Sequence, residues 1–353
     1  MLSRVIYNRE VTDDGDYVVG ADIKLGKSFV VKEDALHFTV GNRKISFINF
    51  SCNGRDIHVE FEHDESLSTL TFDTKAFVNH FALPQINIKI DDLSEDLKRF
   101  LITFNGPNMV SDFSSGIYQQ DAGQFSYYQY STGTNATKRP LVVFLHGSGE
   151  RGFGDELPLI GNDVPKTIHD YIKTHEDAVL LVPQASWSKE LNGWFRPEIR
   201  GALLGLIHAV IDDENIDSSR VYLAGLSNGG AATWHFAEQY PSLFAAIVPC
   251  CGYIFNDNKS FVQGPGKGRY MEPEKKEAER LSNTPIWAFH AEDDPTVDVR
   301  GTREAIAAVK AQGNQNVRMT IYSPGSVSPN PHASWKLAYN DKNLLPWLFA
   351  QHR

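Results

Sequence analysis

Apolar and polar residues alternate in short runs through the first third of the chain. Tyr17-Val18-Val19, Ser28-Phe29-Val30-Val31, Leu36-His37-Phe38-Thr39-Val40, Ile45-Ser46-Phe47-Ile48 and Ile57-His58-Val59-Glu60-Phe61 each predict a strand, and Leu67 to Phe72 and Ile86 to Ile90 continue the series. Asp14-Gly15, Gly41-Asn42 and Asn53-Gly54 supply turns between them. A small β-sandwich is expected over residues 1–112. The polar stretch Ser111-Asp112-Phe113-Ser114-Ser115-Gly116 marks the boundary, and a second domain is expected over residues 113–353.

Beyond that boundary, apolar strands alternate with helix-like segments. Phe125 to Tyr130, Leu141 to Leu145, Ala178 to Val182, Val221 to Leu226, Leu243 to Val248, Ile286 to His290 and Val317 to Tyr322 predict strands. Gly201 to Ile211, Ala231 to Tyr240 and the end of the chain predict helices. Such alternation predicts an α/β domain with a mostly parallel central sheet. Residues 253–283 break the repeat and read as an insertion. Its Gly264-Pro265-Gly266-Lys267-Gly268 has no strand before it and no Ser or Thr after it, so a solvated loop is expected rather than a phosphate cradle. Glu272 to Arg280 reads as an exposed helical face.

The chemistry centres on Val221-Tyr222-Leu223-Ala224-Gly225-Leu226-Ser227-Asn228-Gly229-Gly230, where an apolar run drops into Gly-x-Ser-x-Gly and then into a helix. A sharp strand-to-helix turn exposes a serine hydroxyl for attack on a carbonyl, and glycines on either side let the turn close. Ser227 is therefore the candidate nucleophile. After Leu141-Val142-Val143-Phe144-Leu145 comes the glycine-rich loop His146-Gly147-Ser148-Gly149-Glu150-Arg151-Gly152, at the carboxyl end of a strand. It lacks both nucleotide signatures and suits an oxyanion hole, with the backbone N–H groups of Ser148 and Asn228 as donors and Gly149 as the alternative to Ser148. His146 reads as a structural hydrogen-bonding residue rather than the base. In this chain order the acid and base follow the nucleophile. Among Glu292, Asp293, Asp294 and Asp298, Asp294 is the expected acid, with Asp298 and Asp293 as the alternatives. The only histidines beyond it are His332 and His352, and the latter lies at a chain end expected to fray, so His332 is the expected base. Trp187, Trp194 and Phe195 lie in a loop that could wall a pocket. Aromatics in such a loop are more often packing than recognition, and Trp187 and Trp194 are the candidates for substrate contact on the second reading.

Four pieces carry a family resemblance: His-Gly-Ser-Gly-Glu-Arg-Gly at 146–152, Gly-Leu-Ser-Asn-Gly-Gly at 225–230, Asp-Asp-Pro-Thr-Val at 293–297 and His-Ala-Ser-Trp at 332–335. Through them, residues from about 117 to 353 resemble an α/β-hydrolase of the carboxylesterase, phospholipase and predicted-peptidase group. The whole chain resembles two-domain esterases that carry an immunoglobulin-like domain ahead of the hydrolase domain. The usual His-Gly before the acid reads His290-Ala291 here, and the usual Val-Pro after it reads Val297-Asp298.

Composition narrows the partners. A formal net charge of -10 argues against non-specific nucleic-acid binding, which needs a basic surface. Only Cys52, Cys250 and Cys251 are present, so no disulfide framework follows, and reduced, buried thiols are expected. No metal and no cofactor are expected, because neither the cysteines nor the acids after residue 290 have ligand spacing. His37, His58, His63 and His80 read as structural or surface residues. Met1 to Glu10 lacks the apolar core of a signal peptide and no segment is long enough to span a bilayer, so a cytoplasmic location is expected. The expected activity is hydrolysis of a carboxylic ester, small or polymer-linked, through Ser227, His332 and Asp294. Short-chain, acetyl and feruloyl esters are all open. The alternatives are a serine peptidase of the same fold, and a binding protein whose hydrolase domain is inactive. Whether the β domain lids the pocket, recruits a polymer or assembles a homo-oligomer stays open.

Overall fold

A computed structural model describes the whole chain except residues 1–2, 92, 94–98, 121–122 and 189–192. The chain forms two compact units: residues 1–73, 79–112 and 160–163 in one, and 74–78, 113–159 and 164–353 in the other. The crossing pieces 74–78 and 160–163 are not visible as boundaries in the hydropathy pattern.

The first unit is all β. A five-stranded sheet runs in the order Phe100–Asn105, Ser3–Thr12, Gly15–Lys24, Asp56–Phe61, Phe47–Asn53, and a three-stranded sheet in the order Arg43–Ile45, Leu36–Val40, Ile86–Ile90. Its first strand pairs with its last in parallel, Ser3 opposite Phe100. Inward-facing residues of both sheets share one apolar cluster, in which the Phe38 ring meets Phe61 edge-on at 4.8 Å. Two expected strands differ. Ser28 to Val31 has no ladder partner among the described residues: Val31 is buried in the core cluster, Phe29 packs against it and Val30 is exposed. Ile45 to Ile48 is split at Ser46, because the chain there leaves the three-stranded sheet for the five-stranded one. The run from Leu67 opens with a helical turn, and its strand starts at Leu70. His37, His58 and His80 sit beside Asp91, Asp22 and Asp73, and His63 packs on Tyr17.

The second unit is built on eight strands: β1 (Ser114–Gln120), β2 (Gly123–Ser131), β3 (Arg139–Leu145), β4 (Val179–Gln184), β5 (Ile216–Leu226), β6 (Ala246–Cys250), β7 (Ile286–Ala291) and β8 (Val317–Tyr322). Their order is β1-β2-β4-β3-β5-β6-β7-β8, with only β2 antiparallel to its neighbours. The longer helices are α1 (Val164–His175), α2 (Pro197–Asp213), α3 (Asn228–Gln239), α4 (Lys275–Arg280), α5 (Arg300–Ala311), α6 (Trp335–Tyr339) and α7 (Leu344–Phe349), with a single turn at Leu157–Ile160 ahead of them. β3 and β4 are buried along their whole length, which accounts for runs apolar at every position rather than at alternate ones. This is the α/β-hydrolase fold. β1 includes Ser114 to Gly116, which the sequence presented as a linker. β6 starts at Ala246 rather than Leu243, since Pro241 to Leu243 form a turn after α3.

Register places the chemistry. Leu145 lies opposite Gly225, and Leu226 opposite Cys250, so His146, Ser227 and Cys251 leave the sheet together at its carboxyl edge. Ala291 and Tyr322 pair at the same edge of β7 and β8 and launch the loops that carry Asp294 and His332. In the 253–283 stretch, a two-residue hairpin (Val262–Gln263 with Arg269–Tyr270) holds the glycine-rich turn, and α4 follows with a reciprocal Glu274/Glu277 cap. Glu277 is buried, a departure from the expected solvated face.

Candidate active site

Ser227 occupies a turn too tight for an ordinary backbone. Its φ of 54° and ψ of -117° lie where an L-residue is strained, and its N–H is held by the Cys250 carbonyl at 3.0 Å. The glycines make this possible. A methyl at Gly225 would overlap the Gly229 carbonyl, and one at Gly229 would overlap the Leu145 carbonyl, so β3, β5 and α3 converge on bare backbone.

Three side chains distant in sequence meet above this turn. The His332 Nε2 atom lies 2.8 Å from Ser227 Oγ, and its Nδ1 lies 2.7 Å from Asp294 Oδ2. Asp294 is enclosed: its side chain is 0 % exposed, Oδ1 accepts the N–H groups of Thr296 (2.8 Å) and Val297 (3.0 Å), and Oδ2 also faces His290 Nε2 at 3.1 Å. The other acids are engaged elsewhere. Asp298 accepts from Arg300, and Asp293 from the Gly325 N–H.

Burial alone would raise the Asp294 pKa, but the His332 charge and the hydrogen bonds from His290 and His332 outweigh it. They hold the carboxyl well below the usual range. For His332, burial alone would disfavour the charged imidazolium, but the Cys251 sulfur and the Asp294 carboxylate beside it raise its pKa well above the usual value. Burial also raises the Cys251 thiol, so near neutrality the thiol is protonated and Asp294 supplies the negative charge.

The loop after β3 is tied down at several points. Ala185 N–H donates to His146 Nε2 (3.0 Å), which puts the proton on Nδ1, and Nδ1 donates to the Gly147 carbonyl at 2.6 Å. Burial pushes the His146 pKa down to about 3, so this ring is a neutral brace. Gln184 donates to the Glu150 carbonyl, and Gly154 N–H donates back to Gln184. The buried Arg151 guanidinium donates to the carbonyls of Ser148 (2.9 Å), Ser188 (3.1 Å), Ala76 (3.1 Å) and Phe77 (2.9 Å), so it gathers the loop, the segment after β4 and residues 76–77. Arg151 and His290 both lie in motifs that the sequence singled out, but nothing in those motifs gave either a role. A methyl built on Gly147 would lie 3.5 Å from the Ser227 Cβ, so the loop runs directly against the serine, and Asn228 opens α3.

Of the two readings open for Trp194, the structure shows packing. The side chain is fully buried, its indole N–H donates to the His146 carbonyl at 2.9 Å and its ring packs on His146, so it belongs to the core. Trp187 is half-buried and donates to the Ala76 carbonyl. Residues 189–192 of the same loop lie outside the described residues. Cys250 and Cys251 are buried, whereas Cys52 is only partly so. Among the described residues, ligand atoms of Cys251, Asp294 and His332 lie within 4.8 Å of one another, a convergence that linear spacing did not suggest. A thiophilic cation could be held there only by giving up the hydrogen bonds just described. The end of the chain is held rather than frayed: Tyr222 donates to the Gln351 carbonyl, and Arg353 N–H to Ser219.

Residues 187–270 match a family model described as esterase PHB depolymerase. Poly(3-hydroxyalkanoate) depolymerase C of Paucimonas lemoignei is 28 % identical over 185 residues, covering 47 % of this chain and 42 % of that protein. The bifunctional acetylxylan esterase/xylanase XynS20E of Neocallimastix patriciarum is 28 % identical over 148 residues, covering 40 % and 20 %. The chain thus spans under half the length of these two relatives. Among solved structures, a thermostable esterase superposes with a TM-score of 0.78 at 24 % identity, over 99 % of this chain and 100 % of that one. No helix among the described residues is long and apolar enough to cross a membrane.

Proposed function

We propose that this chain, an α/β-hydrolase preceded by an all-β region, is a serine carboxylic ester hydrolase. The observation that carries the reading is the continuous hydrogen-bonded series from Ser227 Oγ through His332 to Asp294, at 2.8 Å and 2.7 Å. In this reading Ser227 attacks the ester carbonyl while His332 Nε2 takes its proton. The N–H groups of Ser148 and Asn228 receive the oxyanion, and the imidazolium returns the proton to the departing alcohol. Water, activated by the same imidazole, then releases the acid from the acyl-enzyme. Asp294 fixes the tautomer and bears the opposite charge while His332 is protonated.

The relatives' names, a polyhydroxyalkanoate depolymerase and an acetylxylan esterase, support esters attached to polymers as the first substrates to try, alongside short-chain and feruloyl esters. Residues 1–112 are proposed as an immunoglobulin-like sandwich domain and 113–353 as the catalytic domain. Turnover of p-nitrophenyl esters by wild type and by Ser227→Ala tests the activity, and comparable rates in both would refute it. A peptide panel on the same preparation separates esterase from peptidase.

A further inference from the structure

Asp294 is held by two histidines, and the second one has no part in the mechanism above. His290, on β7, is 0 % exposed. Its Nε2 lies 3.1 Å from Asp294 Oδ2 and 3.0 Å from the Val297 carbonyl, and its Nδ1 lies 2.8 Å from Thr302 Oγ1 on α5. Nε2 faces only acceptors, so it must carry a proton. The Thr302 hydroxyl donates its one proton to the Gly252 carbonyl at 3.1 Å, so Thr302 is itself anchored while it holds the Nδ1 side of the His290 ring.

We propose that His290 is a positioning residue for ester hydrolysis: an N–H donor, its ring held from the other side by Thr302, that fixes Asp294 and takes a share of the oxygen to which His332 is bonded. The inference rests on the reading of Ser227, His332 and Asp294 given above. Both histidines bond the same atom, Oδ2, while Oδ1 is taken by the Thr296 and Val297 N–H groups. The groups facing the carboxylate are thus His332, His290 and those two amides, with the protonated Cys251 thiol beside them. Without the His290 donor, more negative charge stays on Oδ2. The His332 imidazolium is then better stabilised, and the pH below which the base is lost moves up.

Two polar substitutions separate positioning from mere packing. An asparagine amide reaches the place of Nδ1 and keeps the Thr302 partner, whereas a glutamine amide reaches the place of Nε2 and keeps the Asp294 partner. His290→Asn is expected to lower kcat about ten- to hundredfold, the worth of one hydrogen bond to a charged group, with KM little changed. Its acid limb in kcat/KM should rise by about half to one pH unit. His290→Gln is expected to keep most of the rate and the wild-type limb. If the two variants lose activity alike, or if the limb in His290→Asn stays put or falls, the proposal is overturned. Labelling of wild type by a fluorophosphonate, with the modified residue mapped, keeps the two readings apart. Wild type unlabelled at Ser227 defeats the triad itself, whereas labelled wild type with indistinguishable Asn and Gln variants defeats only the role of His290.

Discussion

Replacing Asp294 with asparagine removes one charge and almost no volume, so its effect can be worked out from the four donors around the side chain. Oδ1 accepts two backbone N–H groups and Oδ2 accepts from two histidines. An amide has one oxygen. The backbone pair cannot move, so the oxygen faces Thr296 and Val297 while the NH2 faces His332 Nδ1, which must then accept rather than donate. That flips the tautomer, puts a proton on Nε2, and points N–H at Ser227 Oγ, where a lone pair is required. Loss of the base in this way costs about 10⁴ in kcat in a serine protease triad, or about 5.5 kcal/mol of transition-state stabilisation. A similar fall is expected here, measured as kcat for p-nitrophenyl acetate at a pH well above the acid limb, with folding checked by circular dichroism. Asp293→Asn and Asp298→Asn, whose carboxylates face Gly325 and Arg300, should stay within a few-fold of wild type. If Asp294→Asn folds and keeps more than a tenth of the activity, or if Asp298→Asn loses as much, the assignment of the acid is wrong.

Because the His332 pKa is raised, the fall of kcat/KM on acidification should begin above the usual histidine value of about 6.5, while Asp294 stays ionised throughout; a limb well below 6 contradicts the pairing. The depressed Asp294 pKa contributes stability above the ordinary carboxyl range that is lost as pH falls through the folded value, so the melting temperatures of wild type and Asp294→Asn should converge below about pH 4. Ser227→Gly should abolish activity yet melt higher than Ser227→Ala, since glycine relieves a φ of 54° that costs about 1–3 kcal/mol; equal melting temperatures would remove the strain argument. A thiol reagent should modify Cys52 readily in the native protein and reach Cys250 and Cys251 only on denaturation, because burial raises both of those thiols.

The catalytic strands were legible in the sequence wherever burial on both faces forces an unbroken apolar run, as in Leu141 to Leu145 and Ile286 to His290. The elbow was legible because backbone convergence demands glycine at fixed offsets from Ser227. β1 escaped notice because an edge strand with Ile117 exposed and polar neighbours has the composition of a linker. Ser28 to Val31 misled in the other direction: alternation reports which side chains face the core, not whether the backbone has a ladder partner. Loop context left Trp194 open between packing and pocket wall, and the core beside His146 absorbs it. The roles of His290 and Arg151 became visible only in three dimensions, since the motifs that contain them do not encode which carboxylate or carbonyls they meet.

The grip of Arg151 bears on how this molecule can be cut. Two of its acceptors, the carbonyls of Ala76 and Phe77, come from the N-terminal third of the sequence, while another belongs to Ser148, a proposed oxyanion donor. Scission at 112 would strip a sequestered cation of two anchors and slacken the very loop meant to hold developing charge. On the proposed reading, residues 113–353 alone are thus a wounded catalyst, not a minimal one.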